Sequence, residues 1–422
     1  MKALVGQRSP LAALQVFHAE LGSAFAIALP GFRATILAGH DANHQLLVKE
    51  RESFRWRNED DPVTRLLRHG VLVEDGEAHA ALRRVMSPAL HRAMLGNYVE
   101  AMWRSTDQVT DAWGAASSGG AEIDLLVEMR RIALLILTRA LFSVDFTRDM
   151  AELWQPILKA IRYISPGPWM LWRGVPRPGY RRALSQLDAW LYQLIADRRA
   201  AATAGDDLLG GLIDAGMSDA LIRDQLLTLL IAGHDTSTAL LSWAFCLLTA
   251  HPDVMLRVRD EVDRVLGSQA PTLAHMVPLE YTEQVLKETL RLYPPIHLGS
   301  RTAVEDVDYQ GRVIPAGMRV LYSIYLTQRN KRDWPDPHRF DPDRFLPAHA
   351  HKLDPYTYLP FGGGPRNCIG MAFAQVEAKV VLARVLQKYD LAFVRGAVRP
   401  HMGATLEPYP GVILRATQRR SG

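Results

Sequence analysis

Cysteine is scarce in this chain: two residues in 422, Cys246 and Cys368. Two cannot build a disulfide scaffold, and such usage fits a reducing compartment. An excess of one charge is missing too. Forty-nine Lys and Arg stand against 45 Asp and Glu, a formal +4. That is too slight for a nucleic-acid-binding chain, yet it leaves room for a local basic patch that meets an acidic partner. Nor is any long hydrophobic run unbroken. Lys2 and Arg8 precede an apolar stretch, but Gln15, His18 and Glu20 interrupt it, unlike a secretory leader. The most apolar longer stretch, 226–250, carries His234, Asp235, Thr236, Ser237 and Thr238 at its middle. Ionisable groups are costly at mid-bilayer, so it reads as a buried helix. The expectation is a cytoplasmic protein without a transmembrane anchor.

What is present is an ordinary globular balance, 48% hydrophobic and 22% charged, with length enough for a substantial core. Length alone suggests two or three domains. The motifs, however, run from residue 76 to residue 370 without a gap, and point to one unit spanning 1–422. Most of the chain reads as helical. Ser218 caps a helix over 219–250 that is apolar on nearly every side, as in the middle of a core. His251-Pro252 ends it, and a charged amphipathic helix follows to about Leu266. Residues 279–293 form another helix, stopped by Pro294-Pro295. Segments 313–317 and 320–322 read as strands around a turn. Residues 333–367 are long and irregular, a feature that usually carries function. A helix begins near Cys368 and runs to about Tyr389, and the tail suggests hairpins.

Four local patterns carry chemistry. In Phe361-Gly362-Gly363-Gly364-Pro365-Arg366-Asn367-Cys368-Ile369-Gly370, a cysteine stands at the mouth of a helix. Unpaired N–H groups and the helix dipole favour its thiolate there. Glycines let the backbone approach a flat cofactor, and Arg366 offers a fixed cation to a carboxylate. In Glu288-Thr289-Leu290-Arg291, Glu and Arg share one helix face. In Ala232-Gly233-His234-Asp235-Thr236-Ser237, an Asp-Thr pair in an apolar helix needs a partner or a use; a plain reading is a kink, with Thr236 bonded back to a carbonyl. His79 and Arg83, four apart, also share a face.

The cysteine segment meets the pattern Phe-x-x-Gly-x-Arg-x-Cys-x-Gly at every fixed position, and from about residue 30 onward the chain resembles the cytochrome P-450 family. The resemblance implies a mainly α fold with small β-sheets, a triangular helical prism enclosing haem. It implies haem b, with Cys368 as the iron's thiolate ligand and Phe361, Gly362 and Gly370 beside the cofactor. His79, Arg83, Arg301 and Arg366 would face the haem propionates. Glu288, Arg291 and Arg344 would form a structural triad behind the cysteine loop. Thr236 would orient dioxygen and its protons, with Asp235 feeding protons from solvent; His234 falls at a variable position. Where relatives often carry His-Arg, this chain has Gln328-Arg329. Substrate-pocket candidates are Leu66, Leu67, Val71, Leu72, Leu229, Ala232, Ile296, Leu298, Gly299, Thr405 and Leu406. Nearly all are apolar, which argues for a hydrophobic substrate. Segment 164–172, with Trp169 and Trp172, falls where relatives have a mobile lid.

The implied activity is a monooxygenase that inserts one atom of O2 into a C–H or C=C bond of a lipid- or terpenoid-like substrate. The chain continues only about 50 residues past Cys368, so NAD(P)H-derived electrons are expected from a separate ferredoxin or flavodoxin with its reductase. Arg83, Arg84, His91 and Arg92 are candidates for docking that acidic carrier, and a monomer is expected. A peroxide-driven peroxygenase, an isomerase and a haem sensor are the alternatives. None of them has an evident use for the Asp235-Thr236 pair.

Overall fold

A computed structural model describes residues 9–419 except 57, 60, 115–119, 168–176, 202–204 and 351–352. Segment 164–172 is therefore described only up to residue 167, and Trp169 and Trp172 lie outside the described residues. Ten helices of twelve residues or more occur among them: α1 Pro10–Leu21, α2 Gly76–Leu90, α3 Leu95–Gly114, α4 Leu125–Phe142, α5 Met150–Ile164, α6 Tyr180–Ala200, α7 Asp219–Ala250, α8 Pro252–Leu266, α9 Glu280–Leu292 and α10 Met371–Lys388. The strands are β1 Ala24–Leu29, β2 Phe32–Leu37, β3 Phe54–Arg55, β4 Ala121–Asp124, β5 Leu298–Ala303, β6 Val307–Tyr309, β7 Arg312–Ile314, β8 Arg319–Ser323, β9 Tyr389–Arg395, β10 Arg399–Met402, β11 Leu406–Tyr409 and β12 Ile413–Gln418. The mainly helical class with small sheets is what the sequence predicts.

Helix α7 is the axis of the molecule. Its 32 residues span about 48 Å at 1.5 Å per residue. Ser218 Oγ accepts the Leu221 N–H at 3.3 Å, which closes the N-terminus. Its sides are buried against α4, α9, α10 and β11. Gly233 permits the contact with α4, because a Cβ there would strike the Leu137 side chain. Helix α9 is capped from a neighbour: Glu261 of α8 accepts the Tyr281 and Thr282 N–H groups at 2.7 and 2.8 Å. No single helix among the described residues is long and apolar enough to cross a membrane.

The sheets depart from the local reading in their pairing. Strands β7 and β8 flank the Pro315–Met318 turn, but they are not a hairpin. Strand β7 pairs with β6, while β8 runs parallel to β2 and antiparallel to β5. The five-stranded order is β1-β2-β8-β5-β3. In the tail, β10–β11 is a true hairpin, whereas β9 reaches past it to β12, which also holds β4. Among the described residues of segment 333–367, regular structure is limited to short helical turns at Pro342–Phe345, Pro347–Ala350 and Gly364–Arg366.

Candidate active site

The cysteine loop closes on itself. Phe361 C=O accepts the Cys368 N–H at 2.8 Å, and Gly364 C=O accepts that of Asn367 at 3.1 Å. Gly362 and Gly364 take φ of +72° and +65°, a region that strongly favours glycine. A Cβ at Gly364 would also collide with the Leu47 carbonyl. Helix α10 begins at Met371, so the cysteine sits just ahead of it, with Gly370 as N-cap.

The Cys368 thiol is solvent-accessible yet recessed, enclosed by protein on nearly every side. Burial pushes it above the ordinary thiol range, against the Gly370 N–H and the Arg83 cation, which pull it down. Desolvation and the helix mouth thus act in opposite directions on this sulfur, and a metal cation bound there would favour the thiolate.

The four predicted cationic groups converge. Arg83 of α2 is held by the loop itself, bonding Asn367 C=O at 2.6 Å and Asn367 Oδ1 at 3.2 Å. Arg366 bonds Asp75 and the Glu74 carbonyl. Arg301 bonds Ser300 C=O at 2.8 Å and lies 3.8 Å over the Trp56 ring; Arg366 lies 4.8 Å from that ring's centre. His79 is pushed down to about 4 by burial and then by Arg366 and Arg83, opposed by Asp75. Burial also lowers Arg366, with Arg301 and Arg83 adding to the effect. Three guanidiniums thus crowd one place with the Asp75 carboxylate opposing them. Trp56 Nε1 is buried there and has no partner among the described residues. Among the described residues, Arg366 bonds the Asp75 carboxylate and the buried Trp56 N–H stands without a partner beside the guanidiniums, an arrangement that fits carboxylates. The residues present suit the haem propionates.

Behind the loop, Glu288 and Arg291 form a fully buried bidentate pair at 2.6 and 2.8 Å. Arg291 also bonds the carbonyls of Gln328, Pro337 and Arg339 at 2.9, 2.8 and 3.1 Å. Glu288 accepts the Asp341 N–H at 2.9 Å. Arg344 approaches Glu288 at 3.5 Å and bonds the Asp336 carbonyl at 3.0 Å. Gln328 has a structural task that sequence did not indicate. Its amide donates to the carbonyls of Leu290 and Arg291 and accepts the Leu359 N–H at 3.0 Å. It links the end of α9 to the approach of the cysteine loop.

At the centre of α7 most side chains are buried, but Ala232 and Thr236, one turn apart, remain partly accessible. Thr236 Oγ1 donates to Ala232 C=O at 2.9 Å, leaving its oxygen lone pairs to accept. Asp235 points elsewhere. Its carboxylate accepts from Arg130 Nη2 of α4 at 3.0 Å and from Thr405 Oγ1 at 2.9 Å. The same Arg130 nitrogen bonds Glu407 of β11. Burial and the neighbouring Asp235 carboxylate push Glu407 up to about 7, against Arg130. His234 is buried, bonded at Nδ1 to the Leu230 carbonyl, and lowered to about 4 by burial. Ser237 donates to Glu377 of α10 at 2.6 Å, and burial pushes Glu377 up to about 8.

The pocket candidates fall in different places. Leu66, Leu67, Val71 and Leu229 belong to the main helical core, with Leu72 at its margin. Leu298 and Leu406 join a smaller cluster around β1 and β2. Ile296 is 41% exposed on the segment entering β5. Gly299 lies so close to the Tyr322 ring that a Cβ would overlap it. Thr405 is buried with its hydroxyl on Asp235, and Leu406 C=O accepts the Trp243 Nε1–H at 2.8 Å. Of the docking candidates, Arg83 is turned inward, while Arg84, His91 and Arg92 are exposed.

Sequence reasoning missed Trp56, Arg130, Gln328, Glu377 and Glu407. For Glu377 a signal existed: it stands four residues from both Phe373 and Val381, on the buried face of α10.

The family model described as Cytochrome P450 matches residues 2–414. Among curated proteins, cyclooctatin synthase from Streptomyces melanosporofaciens is 36% identical over 83% of this chain and 77% of its own. Pentalenene oxygenase from Streptomyces avermitilis is 33% identical over 82% of this chain and 79% of its own. Cyclooctat-9-en-7-ol 5-monooxygenase, again from S. melanosporofaciens, is 32% identical over 82% and 76%. Of solved structures, the cytochrome P450DA heme domain superposes with a TM-score of 0.87 at 26% identity, covering 97% of this chain and 92% of that one. A retinoic-acid-bound cyanobacterial CYP120A1 gives 0.87 at 28% identity, covering 96% and 94%.

Proposed function

The chain belongs to the cytochrome P450 family and is a haem-iron monooxygenase, and from that premise we propose that it oxidises a cyclic terpenoid, residues 1–422 forming one haem domain. One observation supports the site assignment most. A recessed but accessible thiol, three converging guanidiniums, His79 and an unpartnered Trp56 N–H surround one place. Haem b is the cofactor that the family resemblance implies, and two distant cysteines, with no Cys-x-x-Cys pair for covalent attachment, agree with it.

Haem, when bound, would supply the iron chemistry that activates O2 for insertion of one atom into a C–H or C=C bond. Cys368 would hold that iron as thiolate, and Arg83 keeps the cysteine loop in place through Asn367. His79, Arg83, Arg301, Arg366 and Trp56 would hold the propionates, and Phe361, Gly362 and Gly370 would stand beside the cofactor. Thr236 presents a hydroxyl that accepts and passes a proton at Oγ1, and Asp235 feeds protons towards it through solvent rather than by direct contact, since its two oxygens are held by Arg130 and Thr405. The partly accessible face at Ala232 and Thr236 borders the reaction space.

For the substrate, the apolar candidates Leu66, Leu67, Val71, Leu72, Leu229, Ala232, Ile296, Leu298 and Leu406 suit a hydrocarbon skeleton. The names of three relatives (cyclooctatin synthase, a cyclooctat-9-en-7-ol monooxygenase and a pentalenene oxygenase) favour a cyclised terpene over a fatty acid. Electrons come from a separate ferredoxin or flavodoxin with its NAD(P)H-dependent reductase, and the protein works as a cytoplasmic monomer.

The test uses purified haem-loaded protein with a surrogate ferredoxin, its reductase, NADPH and O2. Pentalenene, cyclooctat-9-en-7-ol and a long-chain fatty acid serve as probes. The expected result is a thiolate-type red-shifted absorption of the reduced carbon monoxide adduct and a product one oxygen heavier from a terpenoid. C368S should abolish both. Turnover of the fatty acid alone would remove the terpenoid reading, and activity supported only by peroxide would remove the monooxygenase one.

A further inference from the structure

The least explained buried charges lie around Asp235. Two carboxyl groups, Asp235 on α7 and Glu407 on β11, are brought together by a single Arg130 nitrogen that bonds both. Asp235 and Arg130 are almost wholly enclosed, whereas the Glu407 side chain is 21% exposed. The surroundings are countable. From α4 comes Arg130; from α7, Asp235 and the neutral His234; from the β10–β11 hairpin, Thr405 and Glu407, with His401 opposite Glu407 in the register. Burial lowers His401, helped by Arg399. One fixed cation thus faces two acids.

Two carboxylates that share one nitrogen do not both ionise when a single guanidinium balances them, because the second charge is both desolvated and repelled. The arrangement therefore stores a proton, and does so at one end of the α7 acid and at the edge of solvent.

We propose that Glu407 is the proton-storing partner of Asp235, a positioning residue that takes protons from solvent and hands them to the α7 carboxylate while Arg130 keeps the pair aligned. The step balances simply. The O–H bond on Glu407 breaks, one forms on Asp235, and the electron pair left on Glu407 makes a carboxylate beside Arg130. Solvent then reprotonates Glu407 at its exposed side. Thr405 holds the other Asp235 oxygen, so the carboxylate does not turn away from the pair. This inference rests on the reading of Asp235 as the proton source for Thr236. A brace that merely pins the hairpin to α7 would use the same contacts but would not exchange protons in step with turnover.

The experiment compares haem-loaded wild type, E407Q, E407D, T405V and D235N. The first readout is the infrared carbonyl stretch of protonated carboxyls across pH 5–9, with ¹³C-labelled Glu. The second is NADPH-driven O2 consumption with the surrogate carrier and no added substrate, as a function of pH and in heavy water. Wild type should show a carboxyl titrating near neutrality (Glu407 is pushed up to about 7) and the same inflection in the rate. E407Q should lose both, with the rate several-fold lower, and E407D should restore the inflection. T405V should move it to higher pH, since a donor to the ionised pair is gone. If E407Q does not fold, the T405V shift decides. Persistence of the band and the inflection in E407Q, or no shift in T405V, overturns the proposal. If D235N leaves O2 consumption unchanged, the underlying reading of Asp235 fails instead.

Discussion

Trp56 shows how one side chain can mark a cofactor's edge. Both Arg301 and Arg366 lie against its ring, and its buried N–H is unpartnered among the described residues. A hydrogen bond to a charged acceptor contributes about 1.5–3 kcal/mol. W56F keeps the ring and removes the donor, so haem should transfer to an apo-globin acceptor about tenfold faster than from wild type. An unchanged transfer rate would detach Trp56 from the propionates. Glu377 gives a prediction of the opposite kind, on stability. Its folded value of about 8 lies above the ordinary carboxyl range. Between about pH 5 and 8 the unfolded chain is ionised there while the folded one is protonated, so folding takes up a proton and stability falls as pH rises. The slope from this group is about 1.4 kcal/mol per pH unit. E377Q should remove it, and denaturant melts of both proteins at pH 6 and pH 8 check the difference.

Between elements, the links are polar side chains aimed at backbone. Gln328 satisfies two carbonyls at the end of α9 and the Leu359 N–H before the cysteine loop. Q328A leaves buried backbone groups unpaired and should cost about 2–4 kcal/mol in denaturant melts; a loss under about 0.5 kcal/mol would show that water replaces the amide. This is also where the limits of reading the chain alone become visible. The cysteine loop, the Glu288-Arg291 pair and the α7 centre were legible because each is a short local pattern with its geometry fixed by one turn of helix or one loop. Helix bounds followed from caps and prolines, and the strands were found in kind. Their partners were not: β8 finds β2 and β5, and β9 finds β12, through contacts no local pattern encodes. Arg130, 105 residues from Asp235 and 277 from Glu407, was hidden for the same reason. At Cys368 the local dipole argument captures only part of the electrostatics, because burial pushes the thiol up against the pull of the Gly370 N–H and Arg83.

At the scale of the whole molecule, the modest net charge conceals an arrangement. Arg84, His91 and Arg92 remain at the surface on the segment whose Arg83 reaches the cysteine loop. An acidic electron carrier docking there should reduce the haem more slowly as salt rises, and an R84E/R92E variant should be slower by about tenfold at low salt. Stopped-flow rates indifferent to ionic strength would place docking elsewhere. The helical frame also binds shape to chemistry. Gly233 lets α7 press against Leu137 of α4, and two turns back along α4 stands the arginine that clasps Asp235. A methyl group added at 233 to reshape the reaction chamber would meet the tip of the Leu137 side chain first, so the α4 leucine would have to swing aside before the helices could keep their contact.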